Sequence, residues 1–186
     1  MMEESGRTPE TICSDLAELA SKYRIDQSQM PSVGVAEVIS ALDRFQDCVR
    51  YLNTRRSKGA VLNLGSEADV QDTLYVMLRP WIPDIVSENP TDKVANRYSI
   101  KDFLIPSAGV VIEVKFIRDK QHGKSISAEI HDDIEVYRHH PRCKHIVFFI
   151  YDVDGLIPDP LQLSQQIEEE RVYGGCRLYC HSIIKP

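Results

Sequence analysis

Apolar positions along this chain follow two periods, and the switches between them mark out its elements. Ile12, Leu16, Leu19 and Tyr23 recur at three- or four-residue spacing behind Thr8-Pro9-Glu10, an N-cap followed by proline at the first helical position. A connector over residues 26–32 precedes a longer helix carrying Val35, Val38, Ile39, Leu42, Phe45, Val49 and Leu52, which ends near Arg55 to Gly59. Residues 1–60 therefore predict a helical hairpin whose two apolar stripes need burial, by default against the rest of the chain. Ser66 caps the next helix with Asp69 three residues on, and Val70, Leu74, Met77, Leu78 and Trp81 form its stripe.

From Asp84 the pattern turns to extended segments. Asp84 to Glu88, Tyr98 to Ile105 and Gly109 to Arg118 predict three strands, with Pro106 to Ala108 as the turn between the last two. Asp119 to Ser125 reads as a charged loop. Ile126, Ile130, Ile134 and Tyr137 then mark a helix that Pro141 ends, and Ile146 to Tyr151 is apolar throughout, as suits a strand buried on both faces. Pro158 and Pro160 punctuate a loop before a helix from Leu161 to Glu170, and Arg177 to Ile184 predicts a closing strand. The fold class is α/β, with an N-terminal hairpin over 1–60 and a second domain over 61–186.

Within the third strand the apolar run is interrupted by charge. A strand alternates faces, so Glu113 and Lys115 point one way while Ile112, Val114 and Phe116 cover the other. Asp102 stands eleven residues earlier, on the neighbouring strand. Burying a carboxylate costs several kcal/mol unless something neutralises it, so this group implies a bound hard cation or a demanding internal ion pair.

Tyr98-Ser99-Ile100-Lys101-Asp102-Phe103-Leu104-Ile105, the turn at Pro106 to Gly109, and Val111-Ile112-Glu113-Val114-Lys115 resemble the core of the PD-(D/E)XK nucleases. Lys101 stands where that family usually has proline. Downstream, Asp132 to Pro141 and Lys144 to Asp152 resemble the DpnII/MboI-like restriction endonuclease branch, and the similarity runs from about Gly65 to Pro160. The resemblance implies a restriction-endonuclease-like core, a mixed sheet flanked by helices in the order α-β-β-β-α-β. It also implies a metal-dependent endonuclease of bacterial restriction or defence, with DNA rather than RNA as the expected substrate. Asp102 and Glu113 would ligate Mg²⁺, with Mn²⁺ substituting and the Val114 carbonyl as a further ligand. Lys115 would orient water and hold the scissile phosphate. Glu67, at the start of the Ser66 helix, complements the helix dipole by position alone; the resemblance gives it a supporting role at the metal. Glu129 is a candidate contributor from the helix after the third strand.

Composition narrows the setting. Hydrophobic residues make up 42% and charged residues 27%, as in a soluble globular protein. No apolar run approaches the roughly 20 residues of a membrane span, and the acidic, polar segment Met1 to Glu10 is unlike a signal peptide, which predicts a cytoplasmic protein. The five cysteines are odd in number and scattered, as reduced thiols would be. A net charge of −6 argues against whole-surface attraction to nucleic acid, so phosphate contact would fall to local basic strips. Candidates are Arg55, Arg56 and Lys58, the segment containing Arg118, Lys120 and Lys124, and Arg138 to His145. His139, His140, Cys143 and His145 lack the paired spacing of a zinc site, and Asp152-Val153-Asp154-Gly155 reads as a turn. The competing function is a non-catalytic nucleic-acid- or protein-binding module on the same fold. With little room for a separate reading domain, an effector subunit controlled by dimerisation or a partner protein through residues 1–60 is a further expectation.

Overall fold

In the computed structural model, the residues described are 33–54, 62–90, 100–138, 143–168, 170–173 and 176–186, all within one unit, Val33–Pro186. The first predicted helix, the Arg55, Arg56 and Lys58 strip, Tyr98, Ser99, His139 and His140 lie outside them. The second predicted helix is two: α1, Val35–Asp43, and α2, Phe45–Thr54, separated at Arg44, where ψ moves to 0°. Glu37 Oε2 accepts the Gly34 N–H at 3.0 Å and closes the first turn of α1. Helix α3, Glu67–Leu78, is capped as its sequence predicts: Ser66 Oγ accepts the Asp69 N–H at 3.3 Å, and Asp69 Oδ2 accepts the Gly65 N–H at 3.0 Å. Trp81 falls beyond the helix and stays partly exposed, its Nε1–H donating to the Met77 carbonyl.

Strands β1, Val86–Pro90, β2, Ile100–Ile105, β3, Val110–Phe116, β4, His145–Tyr151, β5, Glu170–Tyr173, and β6, Cys176–Lys185, form a six-stranded sheet ordered β1-β2-β3-β4-β6-β5. β1, β2 and β3 pair antiparallel, β3, β4 and β6 pair parallel, and β5 returns antiparallel on β6. Pro106 to Gly109 closes the β2–β3 hairpin, with Gly109 at φ 64°, and the Gly109 carbonyl accepts the N–H groups of Lys144 and His145 where β4 begins. The sheet is therefore mixed, as expected. The short edge strand β5 is absent from the predicted elements: its four residues carry too brief a pattern to read, and they shorten the preceding helix, α5, to Pro160–Ile167.

Helices cover both faces. On one, Val38, Leu42 and Phe45 of α1 and α2 and Val70, Leu74 and Leu78 of α3 pack with Ile112, Val114, Val147 and Phe149. Phe45 meets Phe149 edge-on at 5.0 Å between ring centres. On the other face, Ile126, Ile130 and Ile134 of α4, Lys120–Tyr137, and Leu163 and Ile167 of α5 pack with Val111, Ile146, Phe148 and Ile150. Helix α4 absorbs the predicted loop Asp119 to Ser125. Asp119 is its N-cap, Oδ1 accepting the His122 N–H at 2.8 Å, so a segment without apolar period is helical through its cap. The Asp152 to Gly155 segment is a turn, in which the buried Asp152 carboxylate accepts the N–H groups of Leu156 and Ile157.

Candidate active site

The backbone pairing of β2 and β3 ends at Phe103 opposite Ile112, one register step short of Asp102 and Glu113. Past that point the side chain takes over the ladder: Asp102 Oδ2 accepts the Val114 N–H at 2.6 Å. Glu113 and Lys115 both face α4. The Tyr137 hydroxyl donates to Glu113 Oε1, and Lys115 Nζ lies 2.7 Å from Asp133 Oδ2. Strand period thus brings the two acids and the lysine to one end of the sheet, beneath the C-terminal half of α4.

Burial sets the electrostatics. Desolvation pushes Asp102 up to about 6; the Val114 N–H works against that, and the Glu67 charge adds to it. Glu113, 4% exposed, is driven well above the ordinary carboxylate range, first by burial and then by the Asp102 charge, with the Tyr137 hydroxyl opposing. Burial and then the Glu113 charge raise Tyr137. For Lys115 burial pulls downward, yet the Asp133 carboxylate, followed by Glu113 and Glu67, outweighs it and the net shift is upward. Two carboxyls are therefore held where ionisation is disfavoured, beside an ammonium fixed in its charged form.

A cleft of about 430 Å³ opens against this end of the sheet, lined by Glu67, Lys115, Phe116, Arg118, His122 and Glu129 among others. Glu67 is exposed in the first turn of α3 and its charge reaches both Asp102 and Lys115. Arg118 stands at the cleft, whereas Lys124 lines a separate cavity against α5 and Lys120 is exposed in the first turn of α4. Glu129 Oε1 is 3.3 Å from His122 Nε2. Asp133, Tyr137 and His122 were not among the predicted site residues. Their signal was present as a second stripe on α4, His122, Glu129, Asp133 and Tyr137 at intervals of seven, four and four, interleaved with the isoleucines. At the opposite end of β4, His145 Nδ1 meets His181 Nε2 at 3.1 Å, and Cys143 Sγ approaches the His145 carbonyl.

The donors at Asp102 and Glu113 are hard oxygens, the class that suits Mg²⁺, which is held by one or two carboxylates with water and phosphate completing its shell. Among the described residues no three of His, Cys, Asp and Glu converge closely enough to hold an ion by themselves. Two carboxylates of this class fit a cation that completes its shell with water and substrate oxygens.

Comparison with protein-family models matches residues 36–180 to REase DpnII-MboI, the DpnII-MboI restriction endonucleases. The chain belongs to the DpnII-MboI restriction endonuclease family. The match runs from α1 into the first half of β6 and takes in both helical layers and the whole cleft. No curated protein and no solved structure matches the chain. DpnII-MboI membership supports a nuclease role in restriction and implies DNA as substrate. No helix among the described residues is long and apolar enough to cross a membrane.

Proposed function

We propose that this chain is a Mg²⁺-dependent endonuclease that hydrolyses DNA phosphodiester bonds in restriction, with Mn²⁺ able to substitute. The observation that carries this reading is the pair of buried carboxyls, Asp102 and Glu113, both costly to ionise, placed beside the Lys115 ammonium. A cation relieves that cost, whereas a binding module gains nothing from it. Asp102 and Glu113 would hold the ion, with the Val114 carbonyl and Glu67 as further donors.

When bound, a divalent cation neutralises phosphate charge and makes a coordinated water more acidic. Lys115, kept cationic by Asp133, holds the scissile phosphate and offsets the negative charge that grows on it. Tyr137 fixes the Glu113 carboxyl from above. Arg118, which lines the cleft, would meet the adjoining DNA backbone. Control by dimerisation or by a partner protein falls to residues 1–60 in this reading, because Ile12, Leu16, Leu19 and Tyr23 supply an amphipathic stripe there. The test is supercoiled plasmid incubated with the purified protein in Mg²⁺, Mn²⁺ or EDTA. Cleavage in either cation, none in EDTA, and none by folded Asp102→Asn or Lys115→Ala is the expected result; unchanged cleavage by both variants overturns the assignment.

A further inference from the structure

We propose that His122 is a positioning residue that holds Arg118 as a phosphate contact on the cleft wall beside Lys115, an inference that rests on the nuclease reading above. His122 sits in the opening turn of α4 and is 6% exposed. Its own N–H is taken by the Asp119 cap, which fixes the ring's origin. The ring Nδ1 accepts twice from one residue, from the Arg118 backbone N–H at 3.3 Å and from Arg118 Nε at 3.4 Å. Because Nδ1 accepts, the ring proton sits on Nε2, 3.3 Å from Glu129 Oε1. The imidazole is thus wedged between a cation and an anion that both line the cleft.

Arg118 differs from its neighbour in how its charge is met. Lys115 is paired with Asp133, whereas Arg118, although exposed, makes no ion pair among the described residues. Holding Nε leaves the terminal guanidinium nitrogens facing outward as a fork, the geometry that takes two oxygens of one phosphate. It also removes rotamer freedom that would otherwise be lost on binding. A histidine serving only to pack the helix would need neither contact with Arg118.

Binding of a mixed-sequence DNA duplex, followed by fluorescence anisotropy in EDTA across a range of salt, tests this without requiring cleavage. A phosphate contact is read in the slope of log affinity against log salt, so Arg118→Ala and His122→Leu should each reduce the slope by about one, and the double variant no further. His122→Asn puts an amide oxygen at the place of Nδ1 and should keep the wild-type slope, whereas His122→Gln reaches only the Glu129 side and should behave as the leucine variant. In Mg²⁺-supported plasmid cleavage His122→Leu should raise KM about five- to tenfold with kcat held. A wild-type slope in folded His122→Leu, or an asparagine variant as impaired as leucine, overturns the proposal. Should the leucine variant fail to fold, Arg118→Ala decides: an unchanged slope there refutes the phosphate contact on which His122's role depends. Wild-type protein that cuts plasmid in no divalent cation would defeat the nuclease reading instead, and the slopes would still judge His122.

Discussion

Tyr137, the last residue of α4, donates its hydroxyl to Glu113 in β3, so the helix end and the acidic position of the central sheet are fixed to each other. The carboxyl is nearly inaccessible, and the Tyr137 hydroxyl is the side-chain donor that sets its orientation. Tyr137→Phe keeps the ring and its packing but removes the donor. Unfolding free energy should fall by about 1 kcal/mol, read from the urea midpoint. The Mg²⁺ concentration giving half-maximal plasmid cleavage should rise roughly 10- to 100-fold, the usual effect of losing a group that orients a metal ligand. An unaltered Mg²⁺ dependence would show that Glu113 needs no such support.

Asp133 is the anion that lets Lys115 remain charged while largely buried. A lysine whose folded value is raised contributes stability that is fully present below its unfolded value near 10.5 and is lost as pH rises through the folded value. At pH 7 to 8 the contribution is therefore complete. Asp133→Asn strands the ammonium and should destabilise the protein by about 1–3 kcal/mol at that pH, checked by chemical denaturation. Cleavage should fall as well, since the ammonium is then free to leave its position over the phosphate.

Asp102 follows the same sign as Lys115, in a lower pH window. Asp102 is raised from 3.8 to about 6 by burial, so its contribution to stability is greatest below about pH 4 and declines as pH rises through 6. In EDTA, Asp102→Asn should leave acid-side stability unchanged and raise stability above pH 6 by on the order of 2–3 kcal/mol. The same substitution abolishes cleavage. Adding Mg²⁺ should stabilise the wild type at pH 7 to 8 and leave the variant's melting temperature unmoved. Thermal scans at pH 4 and pH 8, with and without the cation, separate the outcomes. A variant less stable than wild type at pH 8 would show that Asp102 is held as an ordinary structural acid.

Much of this site was legible because a strand's period of two is unforgiving. Glu113 and Lys115 stand two positions apart within an apolar run, so their shared face follows from the chain itself, and the hairpin turn at Pro106 to Gly109 brings Asp102 alongside. The helical contribution was hidden. The apolar period of α4 begins at Ile126, and the turns before it show charge without pattern, so the sequence places His122 in a loop although Asp119 caps that segment as a helix. Along the chain Tyr137 is one more apolar contact, which it is along its ring; only the facing strand reveals what its hydroxyl meets. The break at Arg44 was invisible because both halves keep a common stripe, Val38, Leu42, Phe45 and Val49, across it.

Gly123 offers a test in which general propensity and local packing predict opposite signs. It lies inside α4, where replacing glycine by alanine ordinarily stabilises a helix by about 1 kcal/mol. Here the loop after β4 crosses so closely that a Cβ would stand 2.4 Å from the Leu156 carbonyl oxygen and 2.8 Å from its carbon, both backbone atoms. Neither can yield as a side chain would, and the same loop is tied by the Asp152 carboxylate to the N–H groups of Leu156 and Ile157. Gly123→Ala must therefore push the loop outward or lift the first turns of α4, which carry His122 and adjoin Arg118. Destabilisation of about 1–3 kcal/mol is expected, the range for overpacking a close contact. It should be accompanied by weaker DNA binding at low salt, because the same turns form the cleft wall. A gain in stability, measured by urea denaturation, would mean that the helix and the Leu156 backbone lie further apart than this, and the cleft wall with them.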